Sequence, residues 1–302
     1  MDRDLGSAPP LSAAPGVGDT AAAAIVSACY EQLLGHPPDD TVLRGYSAEL
    51  REDAATAFPS MLRHLNASAT AAHVRGQLLL GQIARPLLER RGESVRPAVS
   101  LGLHCYTALL LAAAGLEREA YPFDTIFASP RMVAHCLSDD FAMLLAQRYY
   151  EPIPLERRVH GPHVNLCDHT WYRDNFGIAF LFNHSDPTTP AGYAALRQSV
   201  EAFRDTARST PATYVLAAPD SLYWQNGFAQ VSRALRAYAP FTRLVYAVVR
   251  DPGSELLPRL DVVSEDEGHV LLEFRSCSRW GPDGFGNPLD DITLLSFVLE
   301  RL

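Results

Sequence analysis

A cysteine set just after a strand-breaking glycine, at the start of a helix, is a nucleophile that backbone dipoles can activate. One segment of this chain has that form: Val99-Ser100-Leu101-Gly102-Leu103-His104-Cys105. Unpaired N–H groups and the helix dipole favour the thiolate and bring cysteine pKa below its free value of about 8.5. The same N–H groups can hold the oxyanion of an acyl-transfer intermediate. Gly102 allows a tight turn and close approach of a substrate backbone, and with His104 it is a candidate for oxyanion or substrate binding. The plainer role of a cysteine is a small buried apolar residue, which is the default for Cys29, Cys105, Cys136, Cys167 and Cys277 alike. Their odd number and wide, irregular spacing argue against a disulfide framework.

A nucleophilic thiol needs a base, usually a histidine brought close in space. His184 follows the apolar run Ile178–Asn183, which reads as a strand, so its ring is expected at a strand tip where α/β proteins host their sites. Asp220, at the end of the next predicted strand, could orient the imidazole, and Asp124 in the turn Tyr121-Pro122-Phe123-Asp124 is a second candidate. The plainer readings are a histidine bonded to a loop carbonyl and an aspartate bonding nearby backbone N–H groups. His160, His163, Cys167 and His169 form a further cluster whose spacing fits no common zinc motif. It is read as a polar lid, with His163 or His169 touching substrate; the alternative is a loop folded around one metal ion. No metal or other cofactor is assigned. Gly281-x-x-Gly284-x-Gly286 lacks the strand-then-helix setting of a phosphate loop, so nucleotide binding has little support.

The elements that must position these groups follow from periodicity. Residues 1–20, rich in Gly, Ala, Pro and Ser, are expected to form a disordered arm. Helical spacing covers 21–34, closed by Gly35 and Pro37-Pro38; Asp39-Asp40 offers an N-cap to a second helix, and helical patterns continue over 54–66 and 68–90. Residues 21–90 therefore read as an all-helical module. Beyond Arg96-Pro97 comes the strand 98–101, then helices over 104–114 and 132–149, with a loop region or irregular strand pair over 150–176. Strands at 178–183, 212–217 and 243–249 alternate with helices at 190–208 and 221–237, followed by strands at 260–263 and 269–275 and a helical 292–299. That alternation predicts an α/β domain over 97–302, a mixed sheet with βαβ units, with α+β as the alternative.

Three motifs then stand in order: Ser100-Leu101-Gly102-x-x-Cys105, Tyr121-Pro122-Phe123-Asp124 and Phe182-Asn183-His184-x-Asp186. Over roughly 97–285 the chain resembles a family of uncharacterised bacterial proteins identified as papain-like cysteine peptidases. The resemblance implies a Cys105–His184 dyad. Thr125 stands where that family has Trp, and Ser185 separates His184 from Asp186 where it has His-Asp, which leaves the orienting acid open. Tyr30-Glu31-Gln32-Leu33-Leu34-Gly35-His36-Pro37-Pro38-Asp39 resembles the small helical modules of phycobilisome linkers and bacterial surface-associated proteins, which implies a possible docking role toward a protein partner.

Composition narrows the partners. A net charge of -9, with arginines scattered among carboxylates, lacks the basic stripe of a nucleic-acid binder. No apolar run is long enough to span a bilayer, and the acidic start is unlike a secretory signal, so a cytoplasmic protein is expected. The expected function is a thiol-dependent hydrolase or acyltransferase acting on a peptide or another amide-containing substrate. The rivals are a non-catalytic binding or docking protein and, by fold analogy alone, a glycan-modifying transferase.

Overall fold

The computed structural model describes residues 17–302 apart from 92–95, 117–118, 159–163, 210, 221–225, 240, 251, 254–255 and 282–283. Of the predicted arm, 1–16 lie outside the described residues, and Asp19 already opens the first helix. Contacts divide the chain into two compact units, Met1–Arg75 and Gly76–Leu302. Among the described residues no helix is long and apolar enough to cross a membrane.

The first unit is helical. Helix α1 (Asp19–Leu34) ends where Gly35 takes φ 75, a left-handed conformation that glycine reaches without a Cβ penalty. Helix α2 (Asp40–Asn66) starts on the Asp39 carboxylate, which accepts the N–H groups of Thr41 and Val42 at 2.9 and 2.8 Å. It kinks at Asp53, the point at which the sequence periodicity restarts. Ala22, Val26, Leu50, Met61 and Leu65 form its core. The division between units falls inside α3 (Ala69–Arg91), and Leu80 and Ala84 belong to the core of the second unit.

The second unit is α/β. Its elements run β1 (Ala98–Ser100), α4 (Tyr106–Ala113), α5 (Pro130–Ser138), β2 (Tyr150–Pro152), β3 (Cys167–His169), α6 (Thr170–Phe176), α7 (Pro190–Ser209), β4 (Thr213–Pro219) and α8 (Gly227–Tyr238). Then follow β5 (Arg243–Arg250), β6 (Arg259–Asp266), β7 (His269–Arg275), β8 (Trp280–Gly281), β9 (Gly284–Phe285) and α9 (Pro288–Glu300). The main sheet has the order β1-β4-β5-β7-β6, parallel except for the antiparallel edge strand β6. Strands β4 and β5 are buried on both faces, which is why they read as near-continuous apolar runs. Alternate residues separate two cores: Tyr214, Leu216, Leu244 and Tyr246 pack with α5, α7 and α8, while Val215, Ala217, Val245 and Ala247 pack with α4 and α9.

Three expected elements are corrected. The helix over 132–149 stops at Ser138, because Asp140 and Phe141 take positive φ values of 51 and 60 and the Phe141 ring is drawn fully into the core. The 150–176 region is a short antiparallel pair, β2 with β3, followed by the unforeseen helix α6. The segment 178–183 is not a strand of the main sheet. Gly177 and Phe180 take φ 69 and 58, and only isolated bridges form, from Phe182 to Ile126 and Cys167. Its apolar character is used instead to bury Ile178, Leu181 and Phe182.

Candidate active site

Cys105 occupies the N-cap position of α4, beyond the carboxyl end of β1, and is half-buried. The turn leading to it is held at several points. Leu101 N–H donates to Val215 O at 2.8 Å, prolonging the pairing of β1 with β4. Gly102 takes φ 81, which favours glycine, and an added Cβ there would lie a close 3.2 Å from Phe123 O. Gly102 N–H donates to Ser100 Oγ at 3.2 Å, and Thr107 Oγ1 donates to Gly102 O at 3.0 Å. This corrects the expectation that Gly102 supplies an oxyanion donor, since its N–H is committed to the turn. The first turn of α4 offers leading N–H groups without intrahelical acceptors.

The residues flanking the sulfur build an aromatic wall. The His104 ring packs edge-on against Phe127 and Trp280, with centroids 5.4 and 6.0 Å away. Burial holds its pKa below the ordinary histidine range. Tyr106 contacts Trp280 and Phe285 of the β8–β9 hairpin and donates its hydroxyl to Asp291 Oδ1 at 3.0 Å. Burial pushes the Asp291 carboxyl up to about 6. The neighbouring Asp290, fully buried, accepts the N–H groups of Cys277 and Ser278 at 2.8 and 3.0 Å and so fastens the loop after β7 to α9.

His184 is exposed, on the irregular segment after Phe182 rather than at the tip of a main-sheet strand. One segment, Ile126–Ala128, separates that stretch from the Cys105 turn: Ala128 N–H donates to Leu103 O at 3.1 Å, and Phe127 N–H donates to Leu181 O at 2.9 Å. The ring partner of His184 is Asn183, whose Nδ2 lies 2.9 Å from Nε2. Asn183 Oδ1 accepts the backbone N–H and the Nδ2 of Asn165 at 3.0 and 3.1 Å, which fixes the amide so that Nδ2 faces the imidazole. A neutral ring then carries its proton on Nδ1. Sequence reasoning missed Asn165 and Asn183; the only signal was the Asn-His pair in the third motif.

Neither candidate acid bonds His184. Asp124 is buried and closes its own turn by accepting Tyr121 N–H at 2.6 Å, and Asp220 forms an ion pair with Arg250, which also reaches Glu273 at 3.4 Å. The orienting role expected of these two acids is therefore corrected: one locks a turn, and the other ties the ends of β4, β5 and β7 together.

The lid reading is corrected for His169 and lies outside the described residues for His160 and His163. His169 is fully buried, accepts Tyr172 N–H at Nδ1 to cap α6, and donates from Nε2 to Met143 O at 3.0 Å. Cys167 is sealed beside it, with its thiol pushed up to about 12 by burial. Among the described residues no group of three or more His, Cys, Asp or Glu could hold a metal ion. Burial also raises the thiols of Cys29, Cys136 and Cys277. No protein-family model, curated protein or solved structure matches the chain.

Proposed function

We propose that the chain is a thiol-dependent hydrolase or acyltransferase, of the papain-like cysteine peptidase kind, whose nucleophile is Cys105. The observation that carries this reading is the half-buried Cys105 at the N-cap of α4, beyond the carboxyl end of a parallel strand. In the proposed step the Cys105 thiol gives its proton to His184, and the sulfur attacks the carbonyl carbon of an amide. As the C–S bond forms, the carbonyl electron pair moves to oxygen and is held by the leading N–H groups of α4. Collapse breaks the C–N bond, the amine leaves with the proton from the imidazolium, and water or another acceptor then cleaves the thioester and restores the thiol.

Before His184 can serve as base at Nε2, Asn183 must release it. The helical unit is the proposed point of attachment for a protein partner.

The test is alkylation by iodoacetamide across pH, with the modified site mapped by mass spectrometry. Cys105 is expected to react well below pH 8.5, Cys105→Ala to lose that label with an unchanged circular dichroism spectrum, and His184→Ala to move the pH midpoint upward. A midpoint at the ordinary thiol value of about 8.5 in both the native protein and His184→Ala would remove the dyad.

A further inference from the structure

We infer that the groove between β2 and the start of α7 binds an extended peptide segment rich in proline and acidic residues. The groove has a volume of about 660 Å³, within the range of roughly 300–1,000 Å³ common for ligand sites. Tyr150 and Tyr193 form its wall, their ring centroids 6.2 Å apart and tilted by 58°. Each ring is pinned through its hydroxyl: Tyr150 donates to Leu144 O at 2.8 Å and Tyr193 to Leu145 O at 3.2 Å. With both hydroxyls donating to backbone carbonyls, the two rings are fixed in the wall of the groove. Pro152 and Pro187 extend that surface. Rigid aromatic and proline walls suit a polyproline-type strand, which is already extended and loses little entropy on docking.

Charge selects the ligand. Arg197 lies one turn beyond Tyr193 on α7, is exposed, and lines the groove without a carboxylate among the lining residues. The acid four positions on, Glu201, is held by Arg204 at 2.7 Å, and among the described residues Arg197 makes no ion pair. In a chain of net charge -9 this guanidinium is left for an external anion. The amino end of α7 adds positive potential from the same side. The donors of the nearby hydroxyls are committed: Thr188 Oγ1 donates to Asp186, and Thr189 Oγ1 donates to Asp186 O and accepts Gly192 N–H.

This site does not rest on the chemistry at Cys105, although Pro187 shares a loop with His184. The experiment is fluorescence anisotropy of the full chain with a labelled peptide of alternating Glu and Pro, beside a Lys-Pro peptide of equal length. The acidic peptide is expected to bind, more weakly as salt rises, and the basic one not to bind. Arg197→Glu and Ala194→Glu, both exposed positions, are expected to weaken binding by about tenfold or more. Equal binding by these variants, no binding by the native chain, or capture of polygalacturonate in place of the peptide would each overturn the proposal. Iodoacetamide labelling of Cys105 in Arg197→Glu separates the two readings, since it is expected to stay unchanged whichever way the peptide result falls.

Discussion

Two junctions in this chain place a histidine and a cysteine side by side where a strand gives way to a helix. At β1–α4 the pair is His104-Cys105; at β3–α6 it is Cys167 and His169, flanking Asp168. In composition they are near twins. At the second, His169 turns inward, caps α6 with one nitrogen and donates the other to a backbone carbonyl, while Cys167 is fully buried. At the first, the Cys105 side chain makes no capping bond to α4, and the residue is half-buried at the carboxyl edge of the main sheet. The contrast teaches that what packs over a helix start decides whether its thiol is sealed, as at Cys167, or left half-buried, as at Cys105.

The sharpest way to break this comparison is to measure both thiols in one experiment. In the native state Cys105 is expected to be alkylated, and Cys167 only at the rate of global unfolding, a difference of several orders of magnitude. Comparable rates without denaturant would erase the distinction. Next in size, His169→Ala removes a cap and leaves a cavity, with an expected loss of about 2–4 kcal/mol in urea denaturation. A loss below about 0.5 kcal/mol would mean that the ring is not the structural group described.

Acid should affect the two junctions with opposite sign. His169 has a folded pKa held below 6.5, so the unfolded chain binds its proton first and the contribution of this group falls as pH drops below 6.5. Asp291, which receives the Tyr106 hydroxyl beside Cys105, is raised from 3.8 to about 6. Here the folded state binds the proton first, so its penalty is full above pH 6 and fades as pH falls toward 4. Thermal melts are expected to show that Asp291→Asn steepens the acid-side loss of stability, because the opposing contribution is gone; a shallower slope would contradict the assignment. The smallest effect belongs to Asp220→Asn. The ion pair with Arg250 is partly exposed, so a change within about 0.5 kcal/mol and unaltered labelling of Cys105 are expected. A large loss of labelling would return Asp220 to the site.

The sequence alone determined the local grammar. Gly35 and Asp39 announced a helix end and a helix start because capping depends on a few adjacent residues, and the alternation of strands with helices around β4 and β5 announced a parallel sheet because parallel neighbours need a crossover connection. The turn at Gly102, with Cys105 at the head of α4, was legible for the same reason. What only the tertiary structure decided was the company each side chain keeps. Ile178–Asn183 has the composition of a strand, yet it lies beside β3 as isolated bridges because Phe182 and Leu181 fill a core assembled from distant helices. Asp220 reads as a free acid until Arg250 arrives from the next strand, and His169 reads as a surface ligand until Met143 and Tyr172 close over it. Burial and hydrogen-bond partners come from residues far apart in the chain, and those fix whether a polar group is reactive or merely satisfied.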